Sequence, residues 1–121
     1  MAAILVIDDD EDVRDIVAQV LEGAGHRVTT ARNGREGLTS FRADRPDVVV
    51  TDIIMPDKEG IETIRDLRTI APGTPIIAMS GGGRTGNMDF LEVATEFGAT
   101  RVLRKPFESR DLLDMVSQVL G

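Results

Sequence analysis

The sequence predicts an α/β fold, with a parallel sheet covered by helices on both faces. Three observations carry this. Short continuous apolar runs (ILVI at 4–7, VVV at 48–50, IIAM at 76–79) read as strands buried on both sides. Stretches between them place apolar residues at helical spacing, as in Val13, Ile16, Val17, Val20 and Leu21. Strand and helix then alternate five times along the 121 residues, which implies parallel pairing.

The first strand, Ile4 to Ile7, runs into Asp8, Asp9 and Asp10. The helix after it is stopped by Gly23 and Gly25. Arg27 to Ala31 is a more polar strand, as an edge strand should be. Gly34 to Ala43 is a weakly amphipathic helix with Leu38 and Phe41 inward. Pro46 introduces the valine strand, which ends at Asp52, and Met55-Pro56 breaks any regular continuation because proline lacks an N–H. A helix from Ile61 to about Ile70 follows Gly60 and ends at Ala71-Pro72-Gly73. Pro75 to Met79 is a strand ending at Ser80, and the glycines at 81, 82, 83 and 86 mark a flexible loop. Asp89 to Phe97 reads as a helix stopped by Gly98, Val102-Leu103 as a short strand, and Leu112, Leu113, Val116, Val119 and Leu120 line a last helix.

The first, third and fourth strands are the most continuously apolar, so the second and fifth belong at the edges. Order 2-1-3-4-5 satisfies this, the flavodoxin-like (βα)5 doubly wound arrangement, whose switch point lies between strands one and three. Asp8, Asp9 and Asp52 then converge in that crevice.

The length fits a single domain over 1–121. No apolar run approaches the ~20 residues of a membrane span, no basic-then-apolar leader precedes Ile4, and a cytoplasmic location is expected. The chain has no cysteine, which excludes disulfides and thiolate chemistry. A net charge of -7 argues against direct DNA binding and for a monomer or a weakly associating protein. With no Trp or Tyr there is no stacking platform for single strands.

Clustered carboxylates repel, and a divalent cation relieves this. Magnesium suits such a site because it takes carboxylate, water and phosphate oxygens. Ser80 and Lys105 fall at the carboxyl ends of the fourth and fifth strands. Acids, a hydroxyl and an ammonium at one rim describe a phosphoryl-transfer site.

ILVIDDD, VVVTDIIMPDKEG, PIIAMSGG and VLRKPF, in that order, make the whole chain resemble a response-regulator receiver domain of the CheY-like family, a module of two-component signalling. The resemblance implies that Asp52 accepts a phosphoryl group from a histidine kinase or histidine phosphotransfer protein. It implies that Asp9, Asp52 and the Ile54 main-chain carbonyl hold Mg2+, with Asp8 acting mostly through metal-bound water. Lys105 is expected to pair with phosphoryl oxygens, Ser80 to bond one of them, and Pro106 to follow a cis peptide. The output is expected to be a protein target at the face of the last two helices and the fifth strand, with at most a weak phosphorylation-linked dimer. Such a protein is not an enzyme beyond assisting its own phosphotransfer and autodephosphorylation.

Two features depart from the family pattern. Val102 stands where an aromatic switch residue is usual, so transmission is expected to rely on Ser80 and loop movement. The loop after Ser80 is glycine-rich, and is expected to order on activation. Ile54 and Gly82 flank the expected approach of the hydrolytic water. No output module follows Gly121 in this chain, which fits a stand-alone receiver and an excised one equally.

Blander readings exist for each feature. Asp8 to Asp12 is also an acidic helix start. It fails as an EF-hand, because Val13 and Gln19 stand where glycine and the bidentate glutamate belong. The glycine run lacks the Gly-Lys-Ser/Thr ending of a P-loop. His26, the sole histidine, reads as a solvated turn residue, and Arg101, Arg104 and Arg110 as a solvated face near the fifth strand, with a basic partner spot as the alternative. The rival reading is a haloacid-dehalogenase-type phosphatase, with Asp8 as nucleophile in Asp8-x-Asp10 and Lys105 as its lysine. Asp12 stands where Thr or Val is usual there, and the short chain leaves little room for a cap. A third reading is a phosphate-independent interaction module, which predicts no magnesium dependence.

Overall fold

The computed structural model describes residues 2–52, 59–80, 84, 85, 88, 89, 95 and 98–121. The elements are β1 (Ala3–Ile7), α1 (Glu11–Gly23), β2 (Arg27–Ala31), α2 (Gly34–Ala43), β3 (Val48–Asp52), α3 (Glu59–Ile70), β4 (Ile76–Ser80), β5 (Arg84–Thr85), β6 (Met88–Asp89), β7 (Arg101–Arg104) and α4 (Ser109–Leu120). The main sheet has five strands in the order β2-β1-β3-β4-β7, all parallel. This is the flavodoxin-like order expected from the sequence, with the two polar strands at the edges.

Strand alternation sorts the apolar runs into two cores. Leu5, Ile7, Val49, Ile76 and Ala78 face Phe41 of α2 and Ile64 and Leu67 of α3. Ile4, Val6, Val48, Val50, Ile77 and Met79 face Val17 and Leu21 of α1 and Leu112 and Val116 of α4. Continuous apolar runs are therefore needed in the three central strands, because both faces of each are covered. Val102 lies on the α2–α3 side, packed against the first core. Gly37 lets α2 approach the sheet, since a Cβ there would meet the Ile7 side chain.

Helix starts follow local chemistry. The Asp10 carboxylate accepts from the Asp12 and Val13 N–H groups (3.0 and 3.4 Å), so it caps α1. Asn33 caps α2 by accepting from the Glu36 N–H at 2.8 Å. At α4, Asp111 reaches back to accept from the Glu108 N–H.

Several boundaries differ from expectation. α1 includes Gly23, and the chain turns at Gly25, whose φ is +93°. α3 begins at Glu59, before Gly60, and β4 begins at Ile76. Asp89 was expected to open a helix; instead it pairs antiparallel with Arg84 in a two-residue ladder. Thr95 is helical, whereas the rest of the expected helix through Phe97 lies outside the described residues, as do Ile54, Met55, Pro56, Gly81, Gly82, Gly83 and Gly86. His26 is half-buried, and its Nδ1 accepts from the Ala2 N–H at 3.1 Å, tying the α1–β2 turn to the start of β1. Arg101 and Arg104 stand three apart on β7, so their side chains leave opposite faces of the strand, and both are exposed. Among the described residues no helix is long and apolar enough to cross a membrane.

Candidate functional site

β1 and β3 are neighbours and parallel, so their carboxyl ends lie at one edge of the sheet. β1 delivers Asp8 and Asp9 there, and β3 delivers Asp52. The carboxylates of Asp8, Asp9 and Asp52 bring one oxygen each within 4.8 Å of one another. Asp8 is fully buried, Asp52 is 5% exposed, and Asp9 is exposed at the mouth.

β7 ends beside β4, and Lys105 follows it directly. Its Nζ lies 3.2 Å from Asp8 Oδ2 and 3.4 Å from Asp52 Oδ2. One ammonium therefore bridges two buried acids, and the peptide it forms with Pro106 is cis. The site holds three carboxylates against one lysine. Hard oxygen donors at this spacing, with two of them buried, fit a small divalent cation.

Main-chain and side-chain bonds hold Asp8 on all sides. Its N–H donates to the Ala31 carbonyl of β2 at 3.1 Å. Its Oδ1 accepts from the Asp10 N–H at 2.9 Å, and its carbonyl accepts from Arg14 Nη1 at 3.1 Å. Both Asp8 carboxylate oxygens are thus occupied, one by a main-chain N–H and one by Lys105.

The structure brings together Asp8, Asp9, Asp52 and Lys105. It places Ser80 at the last position of β4, paired with Arg104, on the same edge of the sheet. Ile54 lies outside the described residues. Sequence reasoning missed Arg14, which reaches the Asp8 main chain. Its partner is a main-chain carbonyl, so no side-chain pattern announced it. Asp10, which follows the two site acids, caps α1 instead, in keeping with the acidic helix start read from the sequence.

Similarity to known proteins accords with this geometry. The family model for the response regulator receiver domain matches residues 4–117. The chain belongs to that family. This receiver is 31% identical over 117 residues to the chemotaxis protein CheY of Halobacterium salinarum, covering 97% of this chain and 95% of that protein. It is 35% identical to the response regulator MprA of Mycolicibacterium vanbaalenii, covering 97% of this chain and 49% of MprA. A crystal structure of a receiver domain protein from Clostridium thermocellum superposes with a TM-score of 0.88 at 34% identity, covering 99% of this chain and 94% of that one. The receiver thus spans nearly all of some relatives and about half or less of others.

Proposed function

We propose that this receiver takes a phosphoryl group on Asp52 from a histidine kinase or histidine phosphotransfer protein, and that the modification changes its protein-binding surface. The observation that carries the reading is the placement of Asp52. It sits at the carboxyl end of a central strand, within reach of two other carboxylates and of Lys105. A carboxylate oxygen of Asp52 forms a bond to phosphorus as the P–N bond to the donor histidine breaks, and the imidazole keeps the electron pair. Hydrolysis restores the carboxylate: a water oxygen bonds to phosphorus as the Asp52–phosphoryl bond breaks, the Asp52 oxygen keeps the electron pair, and phosphate leaves with the water's protons. Mg2+ held by Asp9, Asp52 and the Ile54 carbonyl, with Asp8 acting through its bound water, would neutralise the transferring oxygens.

The chain's own groups do the remainder. Lys105 exchanges its bridge between Asp8 and Asp52 for a phosphoryl oxygen, and the Ser80 hydroxyl donates to another. These contacts are made only in the active conformation, so phosphorylation shifts the population toward that conformation. Outputs follow at the face of β7, α4 and the stretch 89–97, toward a protein target. Phosphotransfer and self-dephosphorylation are the only reactions assigned, in a cytoplasmic monomer or weak phosphorylation-linked dimer.

The donor reaches Asp52 past the start of α1. Ile16 is 60% exposed there. It borders a cavity of about 380 Å³ lined by Val13, Val17, Lys105, Pro106 and Phe107. An exposed apolar residue beside the lysine gives a protein donor a contact that a small phosphodonor does not use. Ile16→Asp is expected to slow transfer from a cognate kinase at least tenfold while leaving the acetyl phosphate rate within twofold. Equal slowing with both donors would remove Ile16 from the docking surface.

Intact-mass spectrometry after incubation with acetyl phosphate tests the central reading. The expected result is one magnesium-dependent phosphoryl adduct, absent in Asp52→Asn. An adduct that maps to Asp8 would overturn it in favour of the phosphatase. An adduct indifferent to magnesium would remove the metal from the mechanism.

A further inference from the structure

Arg14 stands outside the acid cluster and takes no part in the chemistry above. Its guanidinium nonetheless reaches the loop that carries two of the three acids. Nη1 donates to the Asp8 carbonyl at 3.1 Å, while the helix N–H of Arg14 donates to the Asp10 carbonyl at 2.9 Å. The side chain and main chain of one residue thus bracket Asp9.

The Asp8 carbonyl belongs to the peptide unit that joins Asp8 to Asp9. That unit is planar, so fixing the carbonyl direction fixes the plane from which the Asp9 Cα departs. On the Asp8 side the main chain is already held by the N–H bond to Ala31, and the carboxylate by the Asp10 N–H and Lys105. Asp9 has no equivalent support: among the described residues no hydrogen bond holds its exposed carboxylate. Its direction is inherited from the Asp8–Asp9 peptide. A planar, always-charged guanidinium gives that peptide a firmer hold than water does.

We propose that Arg14 is a positioning residue for the cation site, acting through the Asp8–Asp9 peptide to aim Asp9 at Asp52. The inference rests on the metal-binding reading of Asp8, Asp9 and Asp52. It makes a prediction of unusual sign. If Arg14 acted only through its charge, its removal would tighten cation binding, because a positive charge beside the site repels Mg2+. If it positions Asp9, its removal loosens cation binding, as loss of supporting hydrogen bonds does at other metal sites.

Calorimetric Mg2+ titration of the full chain separates the two. Arg14→Ala is expected to weaken Mg2+ binding about tenfold, the low end for a supporting contact. Arg14→Lys keeps the charge but not the planar fork, and should fall between native and Arg14→Ala, at about threefold. At saturating Mg2+ the acetyl phosphate reaction of both variants should run within twofold of native, with the half-saturating acetyl phosphate concentration unchanged. Unchanged or tighter Mg2+ binding in Arg14→Ala would overturn the proposal. So would a raised half-saturation for acetyl phosphate at unchanged Mg2+ affinity, which would make Arg14 an attractor of the anionic donor. If Arg14→Ala does not fold, native Mg2+ affinity in Arg14→Lys gives the same negative answer. Failure of the native chain to bind Mg2+ would instead remove the metal reading itself.

Discussion

The two edges of the central sheet handle charge in opposite ways. At the amino edge, Arg68 extends from the end of α3 and is surrounded by neutral acceptors. It donates to the Gly98 carbonyl (Nε 3.1 Å, Nη2 2.6 Å), the Pro72 carbonyl (2.7 Å) and the Thr74 carbonyl (2.9 Å). Burial draws its pKa below the usual arginine value, and these carbonyls compensate the cation for lost water. Gly98, at φ +124°, packs directly on the Arg68 side chain. At the carboxyl edge, Asp8 and Asp52 share Lys105, and Asp9 adds a third carboxylate beside them. At the amino edge the cation is held by carbonyl dipoles, and so that contact serves stability. The carboxyl edge has an excess of like charge, and so a cation or a covalent change there alters the balance of the whole site.

The comparison can be broken most directly at Lys105. Lys105→Met removes the shared cation and leaves two buried carboxylates facing each other. A loss of about 3 kcal/mol is expected, typical of breaking one side of a buried pair. Urea unfolding in EDTA measures it, and a loss under about 1 kcal/mol would mean that the bridge is solvent-screened. The amino edge should respond next. Arg68→Met is expected to cost about 2 kcal/mol, because several carbonyls lose a charged donor at once. Mg2+ affinity should stay native in that variant, since the change lies at the other end of the strands. A shift in Mg2+ affinity would show that the two edges are coupled rather than separate.

A smaller effect of opposite sign is expected at Asp9. Asp9→Asn removes a like charge from the mouth of the site, and should stabilise the metal-free protein by up to about 1 kcal/mol. Millimolar Mg2+ should reverse the order, because binding to the native fold adds RT ln(1 + [L]/Kd) to native stability. If Asp9→Asn is less stable than native in EDTA, the excess of acid is already neutralised within the chain.

The difference between the edges also marks what sequence could and could not reveal. Val48 to Val50 and Ile4 to Ile7 announced central strands because both faces of each are covered, and that coverage leaves a composition signal. Asp52 and Lys105 were legible because one ends such a strand and the other directly follows the strand at the sheet's edge. Arg68 and Arg14 were not. Their partners are main-chain carbonyls, which every residue possesses, so no pattern of side chains reports the bond. The start of the expected helix at Asp89 was misread for a related reason. Its apolar residues carry helical spacing, but the pairing of Met88–Asp89 with Arg84–Thr85 is made by main-chain groups.

The smallest expected effect lies between the edges in character, at Glu36. This residue follows the Asn33 cap of α2, and its carboxylate accepts from Arg32 Nε at 2.7 Å and from the Arg32 N–H at 3.3 Å. These bonds, with weaker attraction from Arg14, hold its pKa below the ordinary value of 4.5. A lowered folded-state value means that the charged form favours the fold. That contribution is present above the ordinary value and is lost as the pH falls through the lowered one. The pair is solvent-exposed, so the consequence is local: the first turn of α2 loosens in acid while the sheet stays intact. Carboxyl NMR titration of Glu36 should show a midpoint below the usual glutamate range, moving up in Arg32→Gln. In Arg14→Ala the midpoint should move in the same direction but less, because Arg14 contributes only a weak Coulombic attraction. A larger shift in Arg14→Ala than in Arg32→Gln would place Arg14 beside Glu36 rather than at the Asp8 carbonyl, and would count against its role in aiming Asp9.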